Sequence, residues 1–435
     1  MKDMAADFLE FVEKSPTEFH AVHHLGKMLD RKGFVRLQEN TGWNLERGGR
    51  YYVTRNQSAL IAFCVPEDGF GPYQIVASHG DSPTFKLKPM FEEKTCGCYT
   101  RLNVEKYGGM ICSTWMDRPL AIAGRVLVRE GDTIVTRLVD LNRDAVLIPN
   151  MPIHFNREIN DGFKFNPQVD LLPLYGDEEA HGRLKYELAD ACDTVPENIV
   201  GNDLFLYNRV SGSVWGVDDV FFSCSRIDDL ECAWTSVTAF MEAGTEGHIN
   251  VCAVLDNEEV GSGSKQGADS TFLRDVLTRI GSGLGASDEE IRAAMAAGFM
   301  VSADNAHAIH PNHPEKYDAD NRVMMNRGVV IKQNANQKYT TDGVSAAIFA
   351  SVCEKAGVPV QYFANRSDIP GGSTLGNISN AHVSMNTVDI GLAQLAMHSA
   401  YETAGTKDIE YMEKALKTFW ETDIIMNEDG RYTVY

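Results

Sequence analysis

Five short stretches of the 435-residue chain place titratable side chains where chemistry is possible. After the apolar run Ile75-Val76-Ala77 comes Ser78-His79-Gly80-Asp81-Ser82, an imidazole at the end of a strand with a carboxylate two residues on. One group can ligate a metal ion while the other orients it. After Val251-Cys252-Ala253-Val254-Leu255 comes Asp256-Asn257-Glu258-Glu259-Val260-Gly261-Ser262. Adjacent glutamates in an extended segment point to opposite sides, so one can bind metal and the other move protons. Asp304 follows Val301-Ser302-Ala303, Asp228 stands in Ser225-Arg226-Ile227-Asp228-Asp229, and His398 closes Gln394-Leu395-Ala396-Met397-His398-Ser399. Each element taken singly is weak, because most such pairs are solvated surface or core polar contacts. Together they make a mixed nitrogen and oxygen donor set that suits two borderline divalent ions. Zinc leads, with cobalt or manganese as alternatives, and one carboxylate would bridge them at about 3.5 to 4 Å.

The elements that must carry these groups follow from periodicity. Short apolar runs ending in polar clusters, at Ile75 to Ala77, Val251 to Leu255, Met300 to Ser302 and Val329 to Ile331, read as buried parallel strands. Helical stretches Glu231 to Ala243, Asp288 to Ala297 and Gly343 to Ala356 lie between them, the alternation of an α/β sheet. Residues 5 to 34 read as two packing helices. His20 and His24 within them have metal-compatible i, i+4 spacing, but with no Glu between them they read as surface histidines. Between about Phe91 and Phe222 the texture turns to hairpins, as in Arg125-Val126-Leu127-Val128 and Thr133-Ile134-Val135-Thr136 around Gly131-Asp132. The expected architecture is an α/β catalytic domain, 1–90 and 223–435, with a mixed, mostly parallel sheet flanked by helices. A β-rich, barrel-like domain, 91–222, interrupts it.

Composition excludes several classes. A formal charge of -21 repels nucleic acid and anionic membrane surfaces. No run of about 18 uncharged apolar residues appears, and the N-terminus places Asp3 and Asp7 among its first residues, so neither membrane insertion nor secretion is expected. Nine scattered cysteines fit reduced thiols in a cytoplasm, and Cys96 and Cys98 stand too close together for a zinc knuckle.

Beyond spacing, the segments Ser78 to Pro89, Tyr107-Gly108-Gly109 with Ser113 to Arg118, Asp256 to Ser262, Ser302 to Asn312 and Gln394 to Ser399 closely resemble the M18 aminopeptidases, the aspartyl aminopeptidase family. The resemblance runs from the first helix nearly to the C-terminus. It implies a zinc-dependent peptidase that removes N-terminal residues, Asp or Glu by preference, from peptides with a free N-terminus, and that assembles as a tetrahedral homododecamer. It assigns His79 and Asp304 to one metal, Glu259 and His398 to the other, Asp228 to the bridge and Glu258 to the general base. It makes Lys332 and Tyr339 part of the pocket for an acidic first side chain.

Alternatives stay open at several of these positions. Asp81 either fixes the His79 tautomer or caps a strand end, and Lys332 either meets substrate or snorkels from a strand end. The segment Met151-Pro152-Ile153-His154-Phe155 resembles one whose histidine reaches a neighbouring subunit's centre. The competing reading is a strand histidine satisfied within its own domain. Asp229, Asn257 and the stretch Ile369 to Ser373 depart from the family pattern without removing a ligand or the base. The expected chemistry is attack on the scissile carbonyl by a water whose proton Glu258 takes and returns to the leaving amine. A metal-dependent deacylase of N-acyl amino acids is the alternative, separated by its action on a substrate lacking a free amine.

Overall fold

A computed structural model describes residues 4–244 and 247–435. Its largest sheet has nine strands, in the order Val35–Leu37, Arg50–Arg55, Ala59–Cys64, Ile249–Leu255, Tyr73–His79, Phe299–Ala303, Asn386–Gly391, Val329–Gln333 and Val360–Ala364. Tyr73–His79 runs parallel to both of its neighbours, Ile249–Leu255 and Phe299–Ala303. Antiparallel junctions occur where Arg50–Arg55 meets Ala59–Cys64, where Ala59–Cys64 meets Ile249–Leu255 and where Val329–Gln333 meets Asn386–Gly391. The sheet is therefore mixed and mostly parallel, and the run around Val330 sits at one of its antiparallel seams.

Period-two alternation sends side chains to two apolar layers. Val76, Cys252, Val254 and Val301 face a core shared with the helices Met4–Lys14, Glu18–Arg31, Ile227–Glu242 and Thr406–Trp420. Ile75, Ala77, Val251, Ala253 and Met300 face the opposite core, closed by Phe272–Gly283 and Asp288–Ala296. The helix Ile227–Glu242 is buried on every side from Ile227 to Met241, as expected of a central helix rather than a surface one. Trp420 is fully buried against Phe240, with ring centroids 5.1 Å apart. Such an edge-to-face pair contributes about 0.5–1.5 kcal/mol beyond burial alone.

A second, antiparallel sheet of six strands draws on residues 84–208, in the order Thr133–Asp140, Leu120–Glu130, Ile199–Asn208, Thr84–Thr95, Tyr99–Tyr107 and Leu174–Asp177. Bridges Leu120↔Val146 and Leu147↔Leu174 link its flanks and give it a barrel-like curl. The Gly131-Asp132 hairpin forms as the pattern predicts, with Glu130 opposite Thr133 and Gly131 left-handed at φ 62. This sheet has its own core around Phe85, Leu102, Trp115, Ile122 and Leu204, which Ala400 from the far end of the chain also enters.

Two local expectations fail. His20 is buried rather than surface-lying; its Nδ1 hydrogen-bonds the Thr17 hydroxyl at 2.9 Å, and burial lowers its pKa to about 4. Glu258 and Glu259 lie not in an extended segment but in a 3₁₀ turn, Glu258–Val260, entered through Asn257 in the left-handed region at φ 61.

Candidate metal centre

The parallel strands deliver their carboxyl ends to one place, and the polar groups gather there. Ligand atoms of His79, Asp228, Asp229 and Asp304 lie within 4.8 Å of one another, as do those of His79, Glu258 and Glu259, and those of Asp228, Glu259 and His398. Asp228 belongs to two of these groups. Its Oδ1 lies 3.6 Å from His79 Nε2 and its Oδ2 lies 3.2 Å from His398 Nε2. His398 Nε2 is also 3.4 Å from Glu259 Oε2.

Both imidazoles are oriented by their other nitrogen. His79 Nδ1 is 3.1 Å from the Asp81 carbonyl oxygen and 3.3 Å from Asp81 Oδ1. His398 Nδ1 meets the Gly109 carbonyl oxygen. A proton on each Nδ1 leaves each Nε2 lone pair facing the shared carboxylate, which is the tautomer a metal ligand requires. The His398 backbone is left-handed, φ 66, and is held by Ile111 N–H donating to its carbonyl and by its own N–H donating to Glu402.

The fully buried Asp81 does more than touch His79. Its Oδ1 accepts from Glu258 N–H at 3.1 Å, and its Oδ2 accepts from Glu259 N–H at 3.2 Å and from the Tyr107 hydroxyl at 2.6 Å. Asn257 donates to that hydroxyl in turn, at 2.8 Å. The glutamate turn is thus hung from one carboxylate, and diverging directions come from the turn rather than from strand alternation.

The electrostatics demand a cation. Burial pushes Glu258 up to about 8, Asp256 to about 7 and Asp304 to about 6, Lys332 opposing the shift at Asp304. Burial also raises Glu259 and Asp229 well above the carboxylate range. Burial would lower the two histidines, but their carboxylate neighbours outweigh it, Asp229 chief among them for His79, while the adjoining Asp228 leads in lifting His398 to about 10. Burial would likewise raise Asp228, yet the adjoining His398 and His79 imidazoles hold it below its usual value. Buried oxygens Asp228 Oδ1, Asp229 Oδ1 and Glu259 Oε1 have no hydrogen-bond partner. Such orphaned acceptors are costly unless a cation meets them, so the donor set fits divalent metal.

The remaining expected site residues fall at different distances. Lys332 is buried, so it does not snorkel; its Nζ donates to the Asp304 carbonyl at 2.8 Å and lies 3.8 Å from Asp304 Oδ2. The Tyr339 ring centroid is 5.3 Å from that ammonium. His154 lies in an exposed turn rather than on a strand, and joins none of the ligand groups within its own chain. Sequence reasoning passed over His307, three residues after Asp304, whose ring feels the charges of Asp228, Lys332 and His398. It gave no role to Tyr107, although that residue stands in a segment carrying the resemblance, or to Glu402, whose bonds to Ile227 and Asp228 cross a long stretch of chain.

Fold and site together define a metallo-hydrolase of the α/β class. The model of the family described as aminopeptidase I zinc metalloprotease (M18) matches residues 11–420, and the chain belongs to that family. A probable M18 family aminopeptidase 2 of Clostridium novyi is 45% identical over 428 residues, covering 96% of this chain and 98% of that one. Aspartyl aminopeptidase 1 of Schizosaccharomyces pombe is 38% identical over 454 residues, covering 97% and 95%. The solved structure of the S. cerevisiae mApe1 dodecamer superposes with a TM-score of 0.85 at 27% identity, covering 96% of each chain. The enzyme is thus a metallo-aminopeptidase, and the deacylase alternative is left without support. Among the described residues no helix is long and apolar enough to cross a membrane.

The raised acids set a pH signature for the metal-free protein. Acids with folded values near 6 to 8 hold protons that the unfolded chain releases near its ordinary values of 3.8 and 4.5, so folding stability falls as pH rises through that window. The raised histidines act in the same direction, since the stability they add below 6.5 is lost as pH climbs toward their folded values. Bound metal replaces those protons. The melting temperature of chelator-treated protein should fall from about pH 5 to about pH 8, while the gain at a fixed zinc concentration, about 2.7 kcal/mol where that concentration is 100 times Kd, widens over the same range as Kd falls. A gap that narrows with pH would contradict the acidic centre.

Proposed function

We propose that this enzyme uses two divalent ions, zinc foremost, to remove acidic N-terminal residues from peptides in the cytoplasm, working as a homododecamer. The observation that carries the two-ion reading is the position of Asp228, whose two oxygens face the Nε2 atoms of two separately oriented histidines. His79 and Asp304 would hold one ion, Glu259 and His398 the other, with Asp228 between them.

Ions held there supply Lewis acidity, lowering the pKa of a water and polarising the scissile carbonyl. Glu258 is the base. Its backbone is pinned by Asp81, and burial brings its carboxyl to about 8, near the working range for taking a proton from the nucleophile and returning it to the leaving amine. The carboxylate-rich face around Asp228 and Glu259 receives the free α-amine, which makes the enzyme an exopeptidase.

Acidic selectivity is supported by Lys332 and by the relative named as an aspartyl aminopeptidase. With Asp304 committed as a ligand, the Lys332 ammonium is left with carbonyl partners alone, and a substrate carboxylate is its natural counter-charge. Tyr339 walls the same space. The dodecamer is supported by the mApe1 assembly, and residues 91–222 are the inserted domain that would mediate contacts between subunits. The exposed turn carrying His154, flanked by Ile153 and the largely uncovered Phe155, suits a segment that completes a neighbour's centre.

Three tests follow from these roles. Glu258→Gln should keep both metals and lose turnover by about 10³ or more, whereas Asp228→Asn should lose metal; near-normal kcat in the first would remove the base assignment. For wild type, kcat/KM should be higher on aspartyl or glutamyl substrates than on leucyl ones, and Lys332→Met should erase the difference; a leucyl preference in wild type would end the acidic reading. His154→Ala should lower kcat by about 10² at normal metal content. Mixed oligomers of His154→Ala and Glu258→Gln subunits should then recover activity, and no recovery in verified mixtures would show that each subunit works alone.

A further inference from the structure

Glu402 opens the strand Glu402–Gly405, four residues beyond His398, and is buried with both carboxylate oxygens in use. Oε2 accepts from Ile227 N–H at 2.6 Å and from Asp228 N–H at 3.1 Å. Oε1 accepts from His398 N–H at 2.7 Å and from the Gln394 side-chain amide at 3.3 Å. One carboxylate therefore grips the backbone of the shared aspartate with one oxygen and the backbone of His398 with the other. We propose that Glu402 is the positioning residue that holds His398 at its working distance from Asp228, and so holds open the second of the two metal positions.

The chemistry of the side chain explains why it must be a carboxylate. Four N–H groups converge on two oxygens, and only a carboxylate accepts on both sides without presenting a donor. Glutamine in its place would turn an amide N–H₂ toward one of the two donor pairs and open that side of the clamp. The side that yields is set by burial. Asp228 is 3% exposed at the head of a fully buried helix, whereas the His398 side chain is 31% exposed on a left-handed backbone. The clamp also continues beyond the pair. The Gln394 carbonyl accepts from Asn305 Nδ2 at 2.6 Å, and that amide also reaches Glu231 at 3.0 Å, beside Asp304.

This inference rests on the two-ion reading, and the test separates them. Metal-free wild type, Glu402→Gln and His398→Ala are titrated with cobalt(II) and followed by visible absorption, with melting temperatures taken before metal is added. Wild type should take up two ions, and the transition missing from His398→Ala marks the position that His398 serves. In Glu402→Gln that position should weaken about 10- to 100-fold, the range for an outer partner of a ligand, while the other changes by less than about threefold. Equal weakening at both positions, or no change at either, would overturn the proposal, because a merely structural role lowers the metal-free melting temperature without choosing between ions. Should Glu402→Gln not fold, Gln394→Met removes a single donor from Oε1 and should weaken the same position by about threefold. An unchanged titration would overturn the proposal. A single ion in wild type would overturn the two-ion reading, and the proposal with it, from the wild-type curve alone.

Discussion

The Asp228 carboxylate, buried between two imidazoles, is the interaction on which the rest of this structure depends. An anion removed from water is stable only where other groups replace its hydration. Here the replacements are the Nε2 atoms of His79 and His398 and, around them, a ring of further acids that worsen the charge rather than relieve it. Glu258, Glu259, Asp304, Asp229, Asp256 and Glu402 are all pushed above their ordinary values, burial being the first cause in each. The protein alone leaves this cluster short of positive charge. Zinc-binding chemistry resolves it, and membership of a zinc aminopeptidase family agrees with that resolution.

Holding such a cluster together requires rigidity beyond the ligands themselves, and the fold provides it from two directions. On the sheet side, Tyr73–His79 is flanked by parallel strands on both edges, so His79 and Asp304 emerge from neighbouring, fully buried strands. On the other side, residues of the six-stranded sheet and its loops reach in. Tyr107 hydrogen-bonds Asp81, Gly109 accepts from His398, and Thr114 Oγ1 accepts from Ala400 N–H. Ala400, two residues after His398, is buried in the core of that second sheet. A movement between the two sheets would therefore move His398, the most exposed of the ligand candidates, before it moved Asp228.

Charge is organised on two scales that oppose each other. The chain as a whole carries -21, which slows an anionic substrate at long range, while Lys332 places a buried ammonium beside Asp304 at short range. Screening favours the local term, since over roughly 8 to 10 Å in physiological salt the surface field decays while a desolvated pair does not. Selectivity for an acidic residue would then arise within the pocket and not from steering.

The sequence by itself was enough for the class of fold, the hairpin at Gly131-Asp132 and the group of chemical residues, because these signals are local. An apolar run that ends in His79 or Asp304 states both a buried strand and a polar group at its carboxyl end. The same locality explains the errors. Nothing near Asn257 announces a left-handed turn in place of extended chain, because that turn is held by Asp81 from a distant strand. His20 could not be told from a surface histidine, because its burial depends on packing beneath the second sheet, where Phe19 packs at a tilt against Phe205. The two-sided use of Asp228, the Glu402 clamp and the docking of the Tyr107 segment under His398 were decided only by the tertiary structure. Each joins segments far apart in the chain through directional hydrogen bonds, and directionality over that separation is information that residue type and spacing do not carry.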